Sequence, residues 1–133
     1  MQSFNILFTS AGRRVSLIQH FRQALNNLGL AGCIITADCQ RNAPAHFVGD
    51  FQELVPRVNH PKYIQCLLEA CEKYQVKLLI PLIDTELCLL AHRKKDFEAI
   101  GVTLLVSSIQ TNEICLDKRN TYKFFKEIGV ATP

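Results

Sequence analysis

The chain has 133 residues, 48% of them hydrophobic and 20% charged, which excludes a disordered or low-complexity polypeptide and suffices for one domain with its own core. Its formal net charge is only +3 and its basic residues are scattered, so no nucleic-acid partner is expected. No apolar run approaches the roughly 18 residues of a membrane helix, and the N-terminus enters a strand-like run without a charged leader, so neither a membrane anchor nor a secretion signal is read and a cytoplasmic location is expected.

Phe4 to Thr9 is an apolar run of strand length, broken by Ser10-Ala11-Gly12. From Arg13 to Leu28 the period becomes helical, with Val15, Ile18, Phe21, Leu25 and Leu28 on one stripe and Gly29 as the stop. Cys33 to Ala37 predicts a second strand closed by Asp38, followed by an irregular segment with Asn42, Pro44 and Gly49. Phe51 to Val55 is a weaker third strand, ended by Pro56. A helix over Pro61 to Tyr74 buries Ile64, Leu67, Leu68, Cys71 and Tyr74. Lys77 to Ile80 is the fourth strand, ended by Pro81. Asp84 is placed as the N-cap of one helix reaching Ile100, with Leu87, Leu90, Ala91 and Phe97 facing inward and Gly101 as its stop. Val102 to Val106 is the fifth strand. Ser107 or Ser108 caps a short turn through Ile114, and Asp117 caps a last helix to Ile128, stopped by Gly129.

Strands rich in Ile, Leu and Val, alternating with helices, predict a doubly wound α/β fold. Its sheet is mostly parallel and five-stranded, with helices on both faces. The six cysteines include no C-x-x-C pair and no zinc spacing with histidine. They are expected to be inert buried thiols, with no metal site.

Chemistry is expected beyond the carboxyl ends of the strands. Thr9-Ser10-Ala11-Gly12-Arg13-Arg14 joins the first strand to the first helix. Its glycine lets backbone approach a ligand, and the helix start favours an anion that Arg13 and Arg14 could meet. The competing reading is a plain turn with two solvated arginines. The loop lacks G-x-G-x-x-G, which argues against a dinucleotide site, and no catalytic lysine, tyrosine or histidine for hydride transfer can be placed. Asp38 stands where nucleotide-binding α/β folds place an acid on a ribose, although a loop or cap role is commoner. In Pro81-Leu82-Ile83-Asp84-Thr85-Glu86-Leu87, capping accounts for Asp84 and leaves Glu86 to meet a substrate ammonium or to order the glycine loop. Asp117-Lys118-Arg119-Asn120-Thr121 reads alone as a cap followed by a surface lysine.

In this order, four segments together resemble the N-terminal part of ATP-grasp ligases, nearest the carbamoyl-phosphate-synthase-like branch. They are Thr9-Ser10-Ala11-Gly12-Arg13-Arg14; Ala43-Pro44-Ala45; Pro81-x-x-Asp84-x-Glu86-Leu87; and Asp117-Lys118-x-x-Thr121 running to Gly129-x-x-Thr132-Pro133. The resemblance implies a Rossmann-like pre-ATP-grasp domain over 1–116, with 117–133 as a linker helix and the start of an ATP-grasp region. It also implies the family reaction, in which ATP converts a small-molecule carboxylate to an acylphosphate and an amine or similar nucleophile displaces the phosphate. Ser10, Gly12 and Arg13 then match the loop that faces the substrate carboxylate or acylphosphate, and Glu86 matches an acid that shapes the substrate side of the cleft. Lys118 matches a basic residue that reaches ATP phosphates, with Arg119 as the alternative. ATP and Mg2+ belong to the complete enzyme, whose central and ATP-grasp domains would lie on the same longer chain or on a split subunit. The chain alone is therefore expected to be inactive, to bind nucleotide weakly and, through apolar surface left uncovered, to form homodimers. The alternative is a stand-alone Rossmann-like or flavodoxin-like module that binds a ligand or partner without catalysis.

Overall fold

The computed structural model describes residues 3–132; Pro133, the last residue of the fourth segment, lies outside them. Five parallel strands, β1 (Asn5–Thr9), β2 (Ile34–Asp38), β3 (Phe51–Leu54), β4 (Val76–Pro81) and β5 (Thr103–Leu104), form one sheet in the order β3-β2-β1-β4-β5. The helices are α1 (Val15–Asn27), α2 (Tyr63–Lys73), α3 (Asp84–His92), α4 (Lys94–Ala99), α5 (Ile109–Leu116) and α6 (Lys118–Glu127). A 3-10 turn, Pro44–Phe47, stands inside the segment expected to be irregular.

Period-two alternation along the central strands builds two cores. Ile6, Phe8, Ile34 and Ile80 pack with Ile18 and Leu25 of α1 on one face. Leu7, Ile35 and Leu79 pack with Leu67 and Cys71 of α2, Leu90 of α3 and Phe97 of α4 on the other. Both faces of the middle strands are thereby covered, which is why they read as apolar runs. The connections from β1 through β2 to β3 run toward one edge, whereas β4 and β5 lie on the other side of β1. The β1–β4 junction is therefore the switch point, the place where such sheets open a crevice beyond the strand ends.

Several boundaries differ from expectation. The helix expected over 84–100 is two helices broken at Arg93, which has left helical backbone (φ −105, ψ 8); Leu90 and Phe97 on either side of the break are both fully buried. Leu28 is 70% exposed and not on the buried stripe, because α1 ends at Asn27 and turns in a Schellman closure. There Leu30 N–H donates to the Leu25 carbonyl (3.0 Å) and Gly29 takes φ +64. Asp84 is the first helical residue and caps nothing; the N-cap position is Ile83. Pro81 ends β4 as expected, but from inside the strand, as its last residue and paired with Thr9. Of Ser107 and Ser108 it is Ser108 that caps α5, accepting from Thr111 N–H (3.1 Å), and the expected cap Asp117 accepts from Arg119 N–H (2.8 Å). Helix α6 buries none of its residues, and Tyr122, Phe124 and Ile128 stay exposed. Among the described residues no helix is long and apolar enough to cross a membrane.

All six cysteines are free, but only Cys71 is buried; Cys39 and Cys115 are exposed, contrary to the expectation of uniformly buried thiols. Burial, helped by the charge of Glu72, pushes the Cys71 thiol from its ordinary 9.0 up to about 12. Between those limits the unfolded chain has lost a proton that the folded chain keeps, so stability is full below about pH 9 and falls as pH rises, by about 1.4 kcal/mol per pH unit. Urea unfolding at pH 8, 9 and 9.5, below the ordinary phenol range in which Tyr63 would add its own loss, is expected to show this decline, and Cys71→Ala to flatten it.

Candidate functional site

The glycine loop is built by a carboxylate 26 residues away in sequence. Asp38 Oδ2 accepts the Gly12 N–H (2.8 Å), and its Oδ1 accepts the Gln40 N–H (2.8 Å). Ala11 N–H donates to the Ala37 carbonyl (3.1 Å), and the Gly12 carbonyl accepts from Ala45 N–H (3.0 Å). Ser10 and Gly12 adopt φ 49 and 50. A side chain at Gly12 would be strained by that backbone and would press on Arg14 Nη1, 3.3 Å from an added Cβ. The Asp38 position that suggested a ribose ligand therefore has another use. Each of its oxygens already receives a backbone N–H, and the carboxylate buckles the loop closed.

The second wall is the loop from β4 to α3. Glu86 is fully buried. Its Oε1 accepts the N–H groups of Leu82 (3.0 Å) and Ile83 (3.3 Å), which satisfies the otherwise orphaned start of α3 from within the helix. Its Oε2 accepts the hydroxyl proton of Tyr63, the first residue of α2. Burial, together with the Glu86 charge, raises the Tyr63 pKa far above the usual phenol range, so the phenol stays protonated. The hydroxyls of Ser10 and Thr9 approach the phenol oxygen and ease that shift, although Thr9 Oγ1 closes no hydrogen bond of good geometry.

Between these walls lies an open cavity of about 780 Å³ at the carboxyl ends of the strands. Ser10, Gly12 and Arg14 come from the glycine loop, Asp38 and Gln40 from the end of β2, and Arg57 and Asn59 from the segment after β3. Tyr63 and Thr85 close it, over an apolar lining that includes Val55, Val58, Ile83 and Leu89. Arg14 spans the switch point, donating from Nη2 to the Leu82 carbonyl (3.3 Å). The two arginines, Arg14 and Arg57, outnumber the single lining carboxylate, and that carboxylate is already hydrogen-bonded, so the cavity favours an anion.

Of the residues singled out from sequence, Ser10 and Gly12 line the cavity. Arg13 is exposed beside it, and Arg14 is the arginine of the pair that lines it. Glu86 sits behind the wall, with its oxygens occupied by the loop and Tyr63. Lys118 opens α6 in a separate concavity shared with Asp117, Arg119 and Tyr122, and is not brought to the main cavity. Arg57 and Tyr63 were missed. Arg57 follows the end of β3, so the rule of strand carboxyl ends could have found it, whereas nothing local marks Tyr63. Among the described residues no three His, Cys, Asp or Glu side chains gather as a metal site.

The fold is shared with solved enzymes. A biotin carboxylase domain of a single-chain bacterial carboxylase superposes with a TM-score of 0.63 at 14% identity, over 98% of this chain and 30% of that one. N5-carboxyaminoimidazole ribonucleotide synthetase from Thermotoga maritima gives 0.63 at 18% identity, over 98% and 32%. L-amino acid ligase from Bacillus licheniformis gives 0.64 at 18% identity, over 100% and 32%. At these identities the likeness is one of fold, and the chain spans about a third of the length of each of these three structures. No curated protein matches the sequence. The family model described as "PylC-like, N-terminal domain" matches residues 6–105, which carry the whole sheet apart from the first residue of β1 and both walls of the cavity, and the chain belongs to that family.

Proposed function

We propose that this chain is the N-terminal, substrate-side domain of an ATP-dependent carboxylate-activating ligase of the carbamoyl-phosphate-synthase-like kind. The observation that carries this reading is the switch-point cavity, whose two arginines face a space without a free carboxylate. A guanidinium fork suits a carboxylate or an acylphosphate, and the apolar lining suits the body of a small organic acid. In the reaction a carboxylate oxygen takes the terminal phosphoryl group of ATP, and an amine or similar nucleophile then attacks the acyl carbon and expels phosphate. Ser10 and Gly12, with Arg14 and Arg57, hold the carboxylate end, and Arg13 adds its charge from beside the cavity; Glu86 shapes that wall from behind.

The described residues offer no acid cluster fit to hold Mg2+, so no metal step is assigned to this chain. ATP and Mg2+ belong in this reading to the central and ATP-grasp domains, with Lys118 reaching toward the phosphates. Residues 1–116 form the pre-ATP-grasp domain, and 117–133 lead into the rest of a cytoplasmic enzyme. The exposed apolar residues of α6 suit cover by those domains or by a second copy.

In the complete enzyme, Arg14→Ala and Arg57→Ala are each expected to raise KM for the carboxylate about tenfold, the scale of one charged hydrogen bond, with kcat changed far less. Steady-state assays of carboxylate-dependent ADP formation check this. The 133-residue chain is expected to give no saturable calorimetric signal with ATP and Mg2+. Tight ATP binding by the chain alone, or a carboxylate KM indifferent to both arginines, overturns the proposal.

A further inference from the structure

We propose that Tyr63 is the positioning residue of the cavity, acting through Glu86 and Leu82 on the Arg14 guanidinium. Tyr63 is 2% exposed and lines the cavity, while its hydroxyl donates to the fully buried Glu86. The other Glu86 oxygen holds the N–H groups of Leu82 and Ile83 (3.0 and 3.3 Å). The carbonyl of the same Leu82 receives Arg14 Nη2 (3.3 Å). A continuous chain of hydrogen bonds thus runs from the first residue of α2, through the start of α3, to the cation at the mouth of the cavity. Each link joins a different structural element, so the chain fixes the distance between the two walls.

The links are strong for a physical reason. A buried carboxylate that accepts three donors makes charge-assisted hydrogen bonds in a low-dielectric setting, where each stiffens the next. The phenol does not compete for the charge, because burial and Glu86 keep it protonated. Removing its hydroxyl frees one carboxylate oxygen, and Glu86 is then free to swing away from the Leu82 and Ile83 amides. The Tyr63 hydroxyl spends its one proton on Glu86, so it has none to offer a ligand, and its effect on binding passes through Arg14.

This role rests on reading the cavity as the ligand site, but its test needs no ligand. Residue-resolved amide exchange is measured on the full chain for the parent, Tyr63→Phe and Glu86→Gln, with the Arg14 Nε–H resonance followed in parallel. Tyr63→Phe is expected to speed exchange of the Leu82 and Ile83 amides about tenfold, the scale of one charge-assisted bond. It is also expected to collapse the Arg14 side-chain signal toward its free-solvent position, while the β1 and β2 core amides stay at parent rates. Glu86→Gln keeps an oxygen for Leu82 and Ile83 but removes the charge and turns an NH2, which cannot accept, toward the phenol, so it is expected to speed exchange of the Leu82 and Ile83 amides at least as much as Tyr63→Phe does. Uniform acceleration of every amide identifies a merely structural tyrosine and overturns the proposal, as does an unchanged Leu82–Ile83 pair. Either result leaves the proposed ligase activity standing, and an inactive complete enzyme leaves the brace standing.

Discussion

Gly32→Ala is expected to destabilise the fold by about 3 kcal/mol, at the upper end of overpacking costs. An added Cβ would lie 2.1 Å from the Phe4 carbonyl oxygen and 2.7 Å from the Phe4 carbonyl carbon. Both are backbone atoms that cannot rotate away. The neighbouring groups are also tied, since Phe4 N–H donates to the Ala31 carbonyl (2.7 Å), Ile6 N–H to the Cys33 carbonyl (2.9 Å) and Cys33 N–H to Asn5 Oδ1 (2.9 Å). Relieving the clash means pulling the entry of β1 off β2. Thermal unfolding should show a fall in Tm of about 10 °C for a domain of this size. Gly29→Ala is the control. It meets nothing within 4 Å and strains only its φ of +64, which costs about 1 kcal/mol. Equal losses for the two variants would show that the close approach at Gly32 is absent in solution.

Glu86→Ala is expected to cost about 3 kcal/mol, because it orphans the Leu82 and Ile83 N–H groups and the Tyr63 hydroxyl in one buried place. The neighbouring Asp84 provides the contrast. It is exposed and caps nothing, so Asp84→Ala should stay within about 0.5 kcal/mol of the parent. Urea unfolding of the two variants side by side decides the matter. Sequence reasoning weighted this pair the other way, with Asp84 as the cap and Glu86 as the freer group. A cap is judged from the few residues around it, and by that standard an aspartate at a strand-to-helix junction is the better candidate. The Glu86 carboxylate turned inward because Tyr63 is there to donate to it, from 23 residues away.

The same division runs through the cavity. That a ligand loop follows β1 was visible in Ser10-Ala11-Gly12, since a strand that ends in a glycine turn before a helix leaves few alternatives. That Asp38 closes this loop depends on β2 pairing beside β1 so that the two strand ends meet. Arg14 was chosen over Arg13 by a hydrogen bond to Leu82, a residue on another loop 68 positions away. Arg57 joined it because β3, a weak edge strand, ends at the same rim of the sheet.

Local chemistry sufficed for the alternation of elements, the parallel sheet, the Gly29 stop of α1, the Asp117 cap and a serine cap at Ser107 or Ser108, because each follows from period, propensity or a hydrogen bond spanning a few residues. The break at Arg93, the inward turn of Glu86 and the gathering of Arg14 and Arg57 around one cavity were decided by the tertiary structure. Each depends on which groups the strand order brings within reach, and burying a charge such as that of Glu86 is tolerable only where distant donors converge on it.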